Sequence, residues 1–193
     1  QTLIAHCQLP EVFGYTPSDF PLARLQQATL DKIIGQHRVD DLYPLSPMQE
    51  GMLFHTLYEP EAGLYFDQLL FTIEGIFNVT AWQQAWQQVT ERHAVLRTAC
   101  VWDGLKKPLQ LVFTKVQVPW IKQDWRGLNK SQQQEQLTAF LHTEKVQGAD
   151  LTVAPLMRCA LIQLKDNQYY FIWTYHHLLL DGWAEPIILT DLI

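Results

Sequence analysis

The stretch YHHLLLDGW, residues 175 to 183, sets two adjacent histidines and a carboxylate in an otherwise apolar segment. Imidazole, with an unperturbed pKa of about 6.5, holds either protonation state near neutral pH. It can therefore accept a proton from an attacking nucleophile and pass it on. Asp181 follows His177 by four residues, and Gly182 permits a sharp turn after it. A carboxylate there can orient the loop by pairing with an arginine, or orient the imidazole directly. The plainer reading of a histidine in an apolar run is a satisfied core residue. Successive strand residues face opposite sides of a sheet, however, so packing alone does not call for both His176 and His177, followed by an Asp and a Gly-Trp pair.

A strand must deliver these histidines. Tyr169 to Tyr175 is almost wholly apolar and aromatic, the pattern of a central strand buried on both faces. Its carboxyl end is where α/β sheets place ligands. The turn KDN joins it to a preceding strand within PLMRCALIQL. Earlier, DQLLFTIEG alternates Leu69, Phe71 and Ile73 with more polar positions, the period of a half-buried strand. Trp82, Ala85, Trp86 and Val89 fall at helical spacing, with Asn78 or Thr80 able to cap, and a strand follows near Leu96 to Val101. LQLVFTKV predicts its hairpin partner. Ser131 with Gln134 predicts a capping box for a helix running to about Val146, with Leu137, Phe140 and Leu141 on its inner face. Met48 begins a helix that ends before Pro60, and a last helix begins at Trp183 with Pro186 in its first turn. Residues 1–36 predict an upstream tail or linker with a short helix, and residues 37–193 the folded lobe. This order of elements predicts an α/β sandwich with a mixed sheet and flanking helices.

Composition narrows the function. The chain has 193 residues, is 48% hydrophobic and contains seven tryptophans, enough for a substantial core. Its formal net charge is −6 with acids and bases interspersed, so the basic surface that nucleic acid requires is missing. Cys7, Cys100 and Cys159 are widely spaced and odd in number, which predicts reduced thiols in a cytoplasmic protein rather than a disulfide framework. Neither paired cysteines nor a His/Cys cluster has zinc spacing, and no metal is expected. The first twenty residues do not read as a signal peptide, and no apolar run approaches the ~18 residues that span a bilayer.

HHLLLDGW, residues 176 to 183, resembles the HHxxxDG motif of the condensation domains of nonribosomal peptide synthetases, in a superfamily with chloramphenicol acetyltransferase and other HxxxD acyltransferases. YPLSPMQEGMLFH, residues 43 to 55, is similar to the family's first core motif, and RHAVLRTAC, residues 92 to 100, to its second. The resemblance implies a chloramphenicol acetyltransferase-like two-layer sandwich, of which this chain would be the amino-terminal lobe with the carboxyl-terminal lobe absent. It implies that His177 is the catalytic histidine, that His176 and Asp181 are mainly architectural, and that Gly182 offers its N–H to an oxyanion. Arg97, or else Arg92, would hold Asp181. The implied reaction is amide-forming acyl transfer between a donor aminoacyl or peptidyl thioester and an acceptor aminoacyl amine. Both are carried on phosphopantetheine arms of donor and acceptor peptidyl carrier proteins, and no cofactor is bound directly. The first motif, with upstream YTPSDFPL, resembles domains that follow an epimerization domain and take a D-configured donor. The alternatives are an epimerization-domain lobe, a coenzyme A-dependent acyltransferase, and a degenerate docking module that is not an enzyme.

Overall fold

The structure, a computed structural model, describes residues 14–192; Cys7 and the start of the expected linker lie outside them. Two sheets organise the lobe. The larger runs β2-β7-β6-β5, from Phe66–Glu74 (β2), Gln168–His176 (β7), Met157–Lys165 (β6) and Trp120–Asp124 (β5). It is antiparallel except where β5 runs parallel to β6, so the sheet is mixed as the sequence predicts. A smaller antiparallel sheet runs β1-β4-β3, from Val39–Pro44 (β1), Leu109–Phe113 (β4) and Thr98–Val101 (β3). The helices are Gln27–Ile34 (α1), Pro47–Tyr58 (α2), Val79–Arg92 (α3), Lys130–Gln147 (α4) and Glu185–Asp191 (α5).

The aromatic run of β7 is buried because both faces are covered. Phe171, Trp173 and Tyr175 join a core with Trp86 and Val89 of α3, whereas Ile172 joins Leu137 of α4 and Ile162 of β6. Trp86 is fully buried, its ring centroid 4.9 Å from Trp173 and 5.4 Å from Phe171. Rings of this size remove roughly 150–250 Å² from water, which is on the order of 4–6 kcal/mol each as an upper bound. These contacts fix the strand that ends in the histidines.

Several elements differ from the sequence reading. Asn129, not Ser131, caps α4: its side chain accepts from Gln132 N at 3.1 Å, and Gln132 Oε1 accepts from Asn129 N at 2.9 Å. Both pairs fit the same spacing rule, and the turn ahead of the helix selects the earlier one. The expected strand start at Leu96 is a 3-10 turn, Ala94–Arg97, and β3 begins at Thr98. α5 begins at Glu185 rather than Trp183. β2 is an edge strand with Leu70 and Phe71 partly exposed, so its alternation is weaker than a half-buried strand predicts. β5 escapes the sequence reading because its pairing with β6 is non-local and its burial does not alternate.

Candidate functional site

The first turn of α2 is tied to the histidine loop. Ser46 and Gln49 form a capping box, with Ser46 Oγ accepting from Gln49 N at 3.3 Å and Gln49 Oε1 from Ser46 N at 2.9 Å. Gln49 Nε2 then donates to the carbonyl of Leu178 at 2.9 Å, so the residue that starts the helix also holds the loop after β7. In the last turn of α2, Thr56 Oγ1 lies 3.0 Å from His176 Nε2 and donates to Met52 O at 2.8 Å.

His176 is fully buried. Its Nδ1 accepts from Leu178 N at 3.0 Å, which leaves Nε2 as the N–H donor to Thr56, and its ring meets Phe66 edge-on at 4.8 Å. Burial, reinforced by neighbouring His177, pulls its pKa down to about 4. His176 is therefore a neutral, fully hydrogen-bonded structural imidazole.

His177 stands differently. Its backbone N–H donates to Tyr65 O at 2.8 Å, and its Nδ1–H donates to Leu180 O at 3.1 Å. A carbonyl and a carboxylate both only accept, so Nδ1 donates to Leu180 O, and Nε2 faces Asp67 as a donor while the ring carries both protons and as a base once that proton has left. Nε2 lies 2.8 Å from Asp67 Oδ2; the imidazole is 28% exposed and the carboxylate 50%. Solvent therefore reaches the ring at the sheet's rim, where a transferred proton can arrive and leave. Beside it Tyr175, ring centroid 6.0 Å away, donates its hydroxyl to Glu185. Burial first, then the Glu185 and Asp67 carboxylates, raise the Tyr175 pKa and keep the phenol neutral. Burial likewise pushes the Cys100 thiol up to about 12 and Cys159 well above the ordinary range, so neither supplies a thiolate nucleophile.

Of the residues singled out from sequence, His176, His177, Asp181 and Gly182 lie between the last residue of β7 and the turn that enters α5; the two arginines bond elsewhere. Asp181 is exposed, and its Oδ1 accepts from Trp183 N at 3.1 Å and Ala184 N at 2.9 Å, shaping the entry to α5. A side chain at Gly182 would meet nothing within 4 Å, so the open space in front of the turn is not closed by local packing. Arg97, expected to hold Asp181, is instead buried against the small sheet: Nη1 pairs with Asp40 Oδ2 at 2.8 Å and donates to Phe113 O. The reason is topological. β1 carries a register shift between Val39 and Asp41, which sets Asp40 beside the turn that bears Arg97. Arg92, 70% exposed, has its Nε 3.4 Å from Asp191. Asp67, Gln49, Thr56 and Glu185 join the site without having been singled out from sequence. Ser46 and Gln49 have the capping-box spacing that could have marked Gln49, and Glu185 stands ten residues after Tyr175, whereas Asp67 and Thr56 meet the site through non-local pairing.

The condensation domain family matches residues 39–193, and the histidine turn falls within that span. The chain belongs to the condensation domain family. It is 47% identical to one of the linear gramicidin synthase proteins of Brevibacillus parabrevis over 192 residues, 99% of this chain and 4% of that protein. It is 30% identical to bacitracin synthase 1 of Bacillus licheniformis over 195 residues, 100% of this chain and 4% of that protein. The chain thus spans a few hundredths of the length of these relatives. Among solved structures, the starter condensation domain of the rhizomide synthetase RzmA matches with a TM-score of 0.69 at 22% identity, covering 78% of this chain and 37% of that one. A four-domain nonribosomal peptide synthetase, holo-AB3403 bound to AMP and glycine, matches with a TM-score of 0.72 at 23% identity, covering 80% of this chain and 12% of that one. These likenesses establish the chloramphenicol acetyltransferase-like fold. Among the described residues no helix is long and apolar enough to cross a membrane, and no group of three or more His, Cys, Asp or Glu could hold a metal ion.

Proposed function

We propose that this condensation-domain lobe supplies the proton-accepting histidine for peptide-bond formation between two carrier-bound thioesters. The observation that carries the reading is the contrast within the histidine pair. His176 is sealed and satisfied on both nitrogens, whereas His177 has Nδ1 fixed by Leu180 and Nε2 paired with the half-exposed Asp67 carboxylate at the partly open rim. The acceptor amine attacks the donor thioester carbonyl, and the nitrogen–carbon bond forms as the carbon–sulfur bond breaks. Nε2 takes a proton from the amine nitrogen and returns it to the departing thiolate sulfur. An α-amine has a pKa of about 7.7 to 8, so reaching its free base near neutral pH requires only about 1 kcal/mol. The larger share of the acceleration is alignment of the two tethered reactants beside Nε2.

The substrates arrive on phosphopantetheine arms of donor and acceptor peptidyl carrier proteins. The chain spans 37% of the rhizomide starter domain, which supports reading residues 37–193 as the amino-terminal lobe of a larger domain. The facing lobe would complete the channel, and an epimerization domain would precede this one. In this reading the donor is D-configured. Incubation of the complete domain with L- and D-terminated donor thioesters tests both levels: absence of any peptide product overturns the reaction, and preference for the L donor overturns only the stereochemistry.

A further inference from the structure

The geometry points to Asp67 as the group that receives the acceptor's α-ammonium beside His177. The inference rests on the condensation reading and adds a substrate-binding residue to it. Asp67 opens β2, directly across from Tyr175 in the antiparallel register, and its Oδ2 lies 2.8 Å from His177 Nε2. With Leu180 accepting from Nδ1 and Asp67 facing Nε2, both ring nitrogens point at acceptors, so the carboxylate occupies the place from which Nε2 must take its proton. An incoming cationic nitrogen resolves the competition. It donates one N–H to Asp67 and a second to Nε2, and the carboxylate keeps a charge-assisted partner throughout. The ammonium loses two protons on the way to amide. One leaves to water as the free amine forms, and the other passes through Nε2 to the thiolate sulfur. Asp67 is 50% exposed, so its carboxylate is open to an arriving ammonium as well as to the imidazole. Glu185 is set apart by its partner: it accepts from the Tyr175 hydroxyl, whereas Asp67 faces His177 Nε2 itself.

The test is made in the complete synthetase, with the acceptor as an aminoacyl thioester and its α-hydroxyacyl counterpart as a competitive inhibitor. Asp67→Asn is expected to raise the acceptor KM about tenfold or more while kcat and the donor KM stay within about threefold. The Ki of the neutral hydroxy analogue is expected to stay unchanged, and Asp67→Glu to recover most of the amine affinity. An unchanged acceptor KM in Asp67→Asn overturns the inference. So does equal weakening of the amine and the hydroxyl compound, which a general distortion of the site would produce. The two readings fail separately: wild-type turnover in His177→Ala overturns the proton-accepting role, while an acceptor KM indifferent to residue 67 overturns this one.

Discussion

The sealed imidazole of His176 makes the lobe's stability depend on acid in a calculable way. In the unfolded chain this group titrates near 6.5, and in the folded lobe burial and His177 hold it at about 4. A folded-state pKa below the unfolded one means that acid favours the unfolded chain. The stability is fully present above about pH 6.5 and is lost as pH falls toward 4. That difference is worth about 3 kcal/mol at its limit, most of which is already lost at pH 4.5. Urea unfolding of this chain at pH 7.5, 6.5, 5.5 and 4.5 measures the loss directly. His176→Asn separates it from the background of other carboxylates and histidines. Its side-chain oxygen can still accept from Leu178 N, but the residue does not titrate. The variant is expected to be less stable than wild type at pH 7.5 and to close most of that gap by pH 4.5, because only wild type loses the His176 contribution. Parallel stability-versus-pH curves for the two proteins would show that His176 titrates normally in the fold and would refute the reasoning.

Removing Arg97 takes one donor from the Phe113 carbonyl and the cation from Asp40, which keeps only the Thr114 hydroxyl at 2.9 Å, at a site where the guanidinium side chain is 8% exposed and the carboxylate 45%. Because Asp40 stays half in water, Arg97→Ala is expected to cost about 2–3 kcal/mol by chemical denaturation, below the range for a fully buried pair. A loss under about 0.5 kcal/mol would contradict that assignment. Arg97 bonds β1 and β4 rather than Asp181, so Asp181→Asn in the complete domain should leave the stability contributed by Arg97 intact. Additive free energies in the double variant are expected, and coupling above about 1 kcal/mol would restore the direct pair.

The sequence was most legible where local pattern and global placement agree. The run from Tyr169 to Tyr175 reads as a doubly covered strand because it is one, with α3 on one face and α4 on the other. His176 closes β7 and His177 begins the turn beyond it, and their side chains stand in a sealed and a partly open environment. What stayed hidden depended on partners distant in the chain. Asp67 is 110 residues before His177 and meets it only through the β2–β7 register. Arg97 could not be paired correctly without knowing that β1 joins a second sheet and bulges at Asp40. Gln49 lies within the motif at residues 43 to 55, yet only the fold shows its amide bond to Leu178, 129 residues away, which gives that motif its reach into the histidine loop.

The central claim is that His177 Nε2 carries the proton in amide formation. Single-turnover peptide formation in the complete domain, with both thioesters preloaded on their carriers and His177 replaced by Ala, tests it most directly. Loss of a positioned proton acceptor lowers rates by about 10²- to 10⁴-fold, and a fall of that size with the fold retained is the predicted result. A rate within about twofold of wild type would mean that the open imidazole takes no part in the chemistry.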